Sequence, residues 1–112
     1  INMNGTKIFE FTLNTIPLFV LNFLKKNKIH KNKIKYFFFH QASKLVLENI
    51  QKKLNLNHDN MINDLKNTGN TVSSSIPIIL KKKFKSLKKN EFILLCGYGV
   101  GLSWGACLLR KT

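Results

Sequence analysis

Acidic residues are scarce in this chain of 112, which has 5 of them against 19 lysines and arginines and a formal net charge of +14. Arginine is scarcer still: Arg110 stands alone, and every other basic residue is lysine. A nucleic-acid surface draws on the bidentate guanidinium fork to hold phosphates, so a basic chain almost without arginine is poorly equipped for that role. The charge reads instead as a solvated lysine surface, of the kind an AT-rich genome produces alongside abundant asparagine, isoleucine and phenylalanine. A smaller share of it is free to steer acidic partners. Cysteine is limited to Cys96 and Cys107, which lie in apolar runs without CxxC spacing. That argues against a disulfide framework, and both thiols are expected as small buried hydrophobes in a reduced, cytoplasmic interior. The three histidines are scattered and no His, Cys, Asp and Glu spacing suits a metal ion. No basic-then-apolar leader is visible, so no secretory signal is expected.

What is present suffices for a core: 44% of the residues are hydrophobic. Ile8 to Lys26 is dense enough in apolar side chains for a largely buried helix, which Pro17 is expected to end, kink or restart. After a lysine-rich connection from Lys25 to Lys35, Tyr36-Phe37-Phe38-Phe39 lacks helical periodicity and predicts a buried strand that delivers His40 at its C-terminal end. Ala42, Leu45, Val46, Ile50 and Leu54 fall at spacings of three and four, with Asn49 the exception. They predict an amphipathic helix with Glu48, Gln51 and Lys52 outward. Asn55 to Thr68 is polar and turn-rich, with a short element expected around Met61 to Leu65. A second helical stripe runs through Val72, Ile76, Ile79, Leu80 and Phe84, entered near Pro77 with Thr71, Ser73 and Ser74 as competent caps. Phe92 to Cys96 and Trp104 to Leu109 predict two strands joined by a glycine-rich turn.

Three strings carry chemistry: His40-Gln41-Ala42, Gly69-Asn70-Thr71 and Gly97-Tyr98-Gly99-Val100-Gly101-Leu102-Ser103-Trp104-Gly105. Taken alone, His40 would be a core histidine at a strand end and Asn70 a helix-entry turn residue. Taken together, they supply an imidazole, a carboxamide and closely spaced backbone amides, which suit a thioester or enolate oxygen that gains negative charge. In this order, with Ser73, Ser74, Ser75, Ile76 and Pro77 after the Gly-Asn-Thr, the chain resembles the C-terminal half of a β-ketoacyl-acyl carrier protein synthase III, a condensing enzyme of the thiolase superfamily. The resemblance runs from about Met3 to Arg110. It implies an α/β fold, half of a thiolase-like duplication, with helices packed on a mixed sheet and residues 1–112 as one domain.

The activity implied is a decarboxylative condensation of an acyl thioester from coenzyme A with malonyl-acyl carrier protein, without a cofactor or metal. His40 and Asn70 would be the catalytic pair on the enolate oxygen. The backbone N–H of Val100 would complete an oxyanion hole, at a position where the family commonly has glycine. Tyr98, where the family usually has phenylalanine, would line the pocket with Gly99 and Gly101. Ser43 replaces the asparagine that contacts the pantetheine arm. Of three basic positions that receive the carrier protein in the housekeeping enzyme, the matches are Glu10, Leu45 and Lys52, with Lys44 adjacent. These departures suggest a specialised homologue. The family nucleophile is a cysteine of the N-terminal half, for which no counterpart is found, so the 112 residues are expected to be inactive alone. Expected partners are the carrier protein, a coenzyme A thioester, a separately encoded N-terminal half and, in the complete enzyme, a second copy.

Two other readings compete. One is a non-catalytic remnant or scaffold from a truncated gene. The other is a basic membrane-associated protein, because Phe92 to Leu109 carries no formal charge and spaces Gly97, Gly101 and Gly105 by four, as a dimerising membrane helix would. The glycines also evoke dinucleotide binding, but no helix of the required unit follows them.

Overall fold

The computed structural model describes residues 5–40, 43–62, 80–81, 83–99 and 103–112. Helix α1 (Gly5–Lys26) leads through a short 3-10 turn at Lys31–Lys33 into strand β1 (Ile34–Phe39). Helix α2 (Lys44–Leu54) and strand β2 (Met61–Ile62) follow. Strands β3 (Phe92–Gly99) and β4 (Ser103–Arg110) close the chain. The sheet order is β2-β1-β3-β4. β1 is parallel to both β2 and β3, and β4 returns antiparallel to β3. This is the helices-on-a-mixed-sheet arrangement expected.

β1 sits between two parallel neighbours and is buried on both faces except at Lys35, which is why its sequence is an aromatic run rather than an alternation. Phe37 and Phe39 face α1 and α2 in one cluster with Ile16, Val20, Leu47, Ile50, Leu94 and Cys96. Tyr36 and Phe38 face the other way, with Ile62, Leu87 and Ile93. A register irregularity between Ile34 and Tyr36 returns Ile34 to the helix side with Phe37. Without the extra residue, simple alternation would put it beside Tyr36. Each fully buried phenylalanine stabilises the fold by roughly 1.5–3 kcal/mol.

Two expectations about the helices are corrected. Pro17 neither ends nor restarts α1, which runs through it, and the ring is buried. Proline removes the N–H that would bond the carbonyl four residues earlier, at Leu13. Here the Lys53 ammonium of α2 donates to that carbonyl at 2.6 Å and to Asn14 Oδ1 at 3.4 Å. A cation from the neighbouring helix thus takes the vacant acceptor. On α2, Leu45 is 55% exposed and lies outside the buried stripe, which is Val46, Leu47, Ile50 and Leu54.

The ends of α2 are closed by chemistry its sequence supplies. Ser43 is its N-cap, accepting from the Val46 N–H at 3.2 Å. Asn55 ends it in the left-handed conformation at φ 53°, which asparagine tolerates better than most residues. Lys31 then donates to the Leu54 carbonyl at 2.8 Å, placing a positive charge at the negative end of the helix.

The stretch from Phe92 to Leu109 forms the β3–β4 hairpin, paired from Phe92↔Arg110 to Gly99↔Ser103. That overturns its reading as a membrane helix. Among the described residues no helix is long and apolar enough to cross a membrane. Met61–Ile62 falls within the short element expected around Met61 to Leu65, the rest of which lies outside the described residues. The helix expected from Val72 lies almost wholly outside the described residues.

Candidate active site at the end of strand β1

His40 follows β1 directly and continues its parallel ladder by one bond, donating its backbone N–H to the Cys96 carbonyl at 3.0 Å. Its own carbonyl accepts from the Tyr98 hydroxyl at 3.0 Å. Both polar backbone atoms of His40 are therefore held by β3. The Tyr98 ring stands edge to face with the imidazole, centroids 5.4 Å apart and planes at 86°, an arrangement worth about 0.5–1.5 kcal/mol beyond burial. Both side chains are half-buried, so the imidazole combines a fixed root with access from outside. It lies at the C-terminal end of the parallel strands, where α/β sheets present their ligands.

Cys96 lies on β3 with its thiol in the helix-side core. Burial pushes its pKa up to about 12, which keeps it a thiol at neutral pH and makes it a poor nucleophile. Burial, with a smaller contribution from Cys96, also raises the Tyr98 phenol well above its ordinary value, so its hydroxyl keeps the proton it donates to His40. Cys107 corrects an expectation. It is exposed on β4, on the face opposite α1 and α2, paired in register with Leu95.

At the hairpin, Gly97 pairs with Gly105, and a Cβ added at either would meet nothing within 4 Å. By strand alternation these positions face the side of the sheet opposite the Tyr98 ring, which packs on the helix side. Gly99 ends β3. Asn70, Val100 and Gly101 lie outside the described residues. Ser43 is exposed, and its oxygen is occupied by the Val46 N–H while its own hydroxyl proton remains to be donated. Lys44 and Lys52 share the exposed side of α2, Lys44 standing 3.9 Å from Glu48. So exposed a pair contributes little to stability and leaves the lysines available to an anionic partner. The resemblance implied a pocket-lining Tyr98 but gave no sign of its hydroxyl bond to His40, which depends on the parallel register of β1 and β3.

A family model described as the 3-oxoacyl-[acyl-carrier-protein] synthase III C-terminal domain matches residues 24–111. The chain belongs to this family. It is 36% identical over 112 residues to a β-ketoacyl-[acyl-carrier-protein] synthase III of Prochlorococcus marinus subsp. pastoris, covering 98% of the chain and 33% of that protein. Against the enzyme of the same name from Porphyra umbilicalis the identity is 35%, over 98% of the chain and 34% of the relative. Among solved structures, a 3-oxoacyl-(acyl-carrier protein) synthase from Burkholderia xenovorans superposes with a TM-score of 0.89 at 32% identity, covering 97% of the chain and 32% of that structure. The chain thus spans about a third of the length of these relatives, and its helices and mixed sheet are a thiolase-type fold.

Proposed function

We propose that this chain provides the decarboxylation and oxyanion-binding side of a ketoacyl-acyl carrier protein synthase III-like acyltransferase. The observation that carries the reading is His40, held at the end of the central parallel strand by both backbone atoms and faced by Tyr98. Membership of the family supports the rest, together with the Gly69-Asn70-Thr71 and Gly97 to Gly105 strings.

In the proposed reaction, the bond between the malonyl carboxylate and the α-carbon breaks and carbon dioxide leaves. The electron pair moves onto the thioester oxygen as an enolate. Donors from the His40 imidazole and the Asn70 carboxamide stabilise that oxygen without being consumed. The enolate carbon then attacks an acyl group carried on a cysteine. As the new carbon-carbon bond forms, the carbonyl electron pair moves to the tetrahedral oxygen, which is held in part by the Val100 N–H; when that intermediate collapses, the carbonyl re-forms and the cysteine thiolate departs. Cys96 is not that nucleophile, because its thiol is buried and protonated. Cys107 is exposed but sits on the edge strand rather than at a helix N-terminus that would lower its pKa. Acyl-coenzyme A and malonyl-acyl carrier protein are the proposed substrates. Ser43 touches the pantetheine arm, and Lys44 and Lys52 meet the acidic carrier. No cofactor or metal enters the scheme, and the 112-residue chain by itself is inactive.

The test is condensation of acyl-coenzyme A with malonyl-acyl carrier protein by the protein at its native length. His40→Ala and Asn70→Ala are each expected to lower kcat by a factor of about 10² or more, as loss of an oxyanion donor does. Full activity in both variants would overturn these roles.

A further inference from the structure

We infer that Tyr98 is a positioning residue for His40, and that its hydroxyl bond to the His40 carbonyl fixes the direction in which the imidazole points. The inference rests on the proposed role of His40. β1 ends at Phe39, and His40 lies one residue beyond it. One of its backbone atoms is taken by the main chain of β3, the N–H bonding the Cys96 carbonyl at 3.0 Å. The other is taken by a side chain, the Tyr98 phenol at 3.0 Å. With both peptide groups held, the Cα–Cβ direction of His40 is set, and the Tyr98 ring packs edge to face on the imidazole at 5.4 Å and 86°.

Tyr98 itself is well seated for this. Its ring packs against the helix-side core while its hydroxyl reaches the His40 carbonyl. A catalytic donor misplaced by an ångström or less loses much of its effect, because oxyanion bonds depend steeply on distance and angle.

The experiment uses the protein at its native length and a malonyl thioester, with Tyr98→Phe, His40→Ala and the double variant. Tyr98→Phe keeps the ring and removes only the hydroxyl. Its decarboxylation kcat should fall about tenfold with KM unchanged, and the same substitution in the His40→Ala background should change nothing further. A tenfold loss in both backgrounds would mean that Tyr98 does not act through His40 and would overturn the inference, as would unaltered kcat in Tyr98→Phe. The His40 side chain is also followed by NMR. One imidazole rotamer is expected in the parent and averaging between rotamers in Tyr98→Phe. If the parent shows no decarboxylation, the proposed function fails, while the NMR comparison still decides the positioning role: identical rotamer populations overturn it, and averaging upholds it.

Discussion

At the scale of single residues, the two cysteines separate most sharply. Cys96 and Cys107 look alike in the sequence, each in an apolar run, and both were expected to be buried. Only Cys96 is. The difference comes from face and strand position: Cys96 points into the helix-side core from a strand with neighbours on both sides, while Cys107 lies on the other face of β4, the edge of the described sheet. At pH 8, Cys107 is expected to react with a thiol-specific reagent in the folded chain, while Cys96, with its pKa pushed up to about 12, reacts only after unfolding. Counting one modified thiol per native chain and two after denaturant checks this. A pH effect follows as well. Folding raises the Cys96 and Tyr98 values above their ordinary 9.0 and 10.0. The folded chain therefore keeps protons that the unfolded chain gives up. Their contribution is complete below pH 9 and drains away as pH rises from 9 toward 12. Denaturant midpoints should fall across that window, and Cys96→Ala should flatten the fall.

At the scale of elements, the strands were the most legible part of the sequence. Tyr36 to Phe39 is too short and too aromatic for a helix face, and Phe92 to Leu109 breaks at a cluster of glycines. Both signals are local, so β1 and the hairpin could be read without knowing what surrounds them. The fate of Pro17 could not. Whether α1 survives a proline depends on who satisfies the Leu13 carbonyl, and the donor, Lys53, lies forty residues further along the chain. Lys53→Met should destabilise the fold by about 1 kcal/mol, the net worth of such a bond. In a Pro17→Ala background, where the restored N–H can bond Leu13, the same change should cost clearly less. Equal costs in thermal or urea unfolding would mean that Lys53 does not repair the proline.

At the scale of the whole molecule, large apolar side chains remain at the surface: Leu18 is 62% exposed, Phe84 55%, Trp104 45% and Leu109 41%. Phe84 and Leu109 border one cleft with Leu80, Leu87 and Ile93, at the end of β3 remote from His40. A patch of this kind promotes association. In the 112-residue chain on its own, Leu109→Lys should lower binding of a hydrophobic dye and raise solubility without changing the fold by circular dichroism. An unchanged dye signal would place the sticky surface elsewhere. The formal charge of +14 is spread over lysines on every described element except β2, β3 and β4. That distribution is why composition alone pointed to no specific partner. The candidate site is proposed from three ordered strings in the sequence; His40 and Tyr98 are among its described residues, and their convergence appears only once β1 and β3 are paired.

The central claim is that His40 acts on the enolate of a malonyl thioester rather than on acyl transfer. Its most direct test is a single-turnover comparison, in the protein at its native length, of acylation from acyl-coenzyme A with carbon dioxide release from the malonyl thioester. His40→Ala should leave acylation within about threefold and slow carbon dioxide release by a factor of about 10² or more. Equal loss of both steps, or loss of neither, would contradict the account.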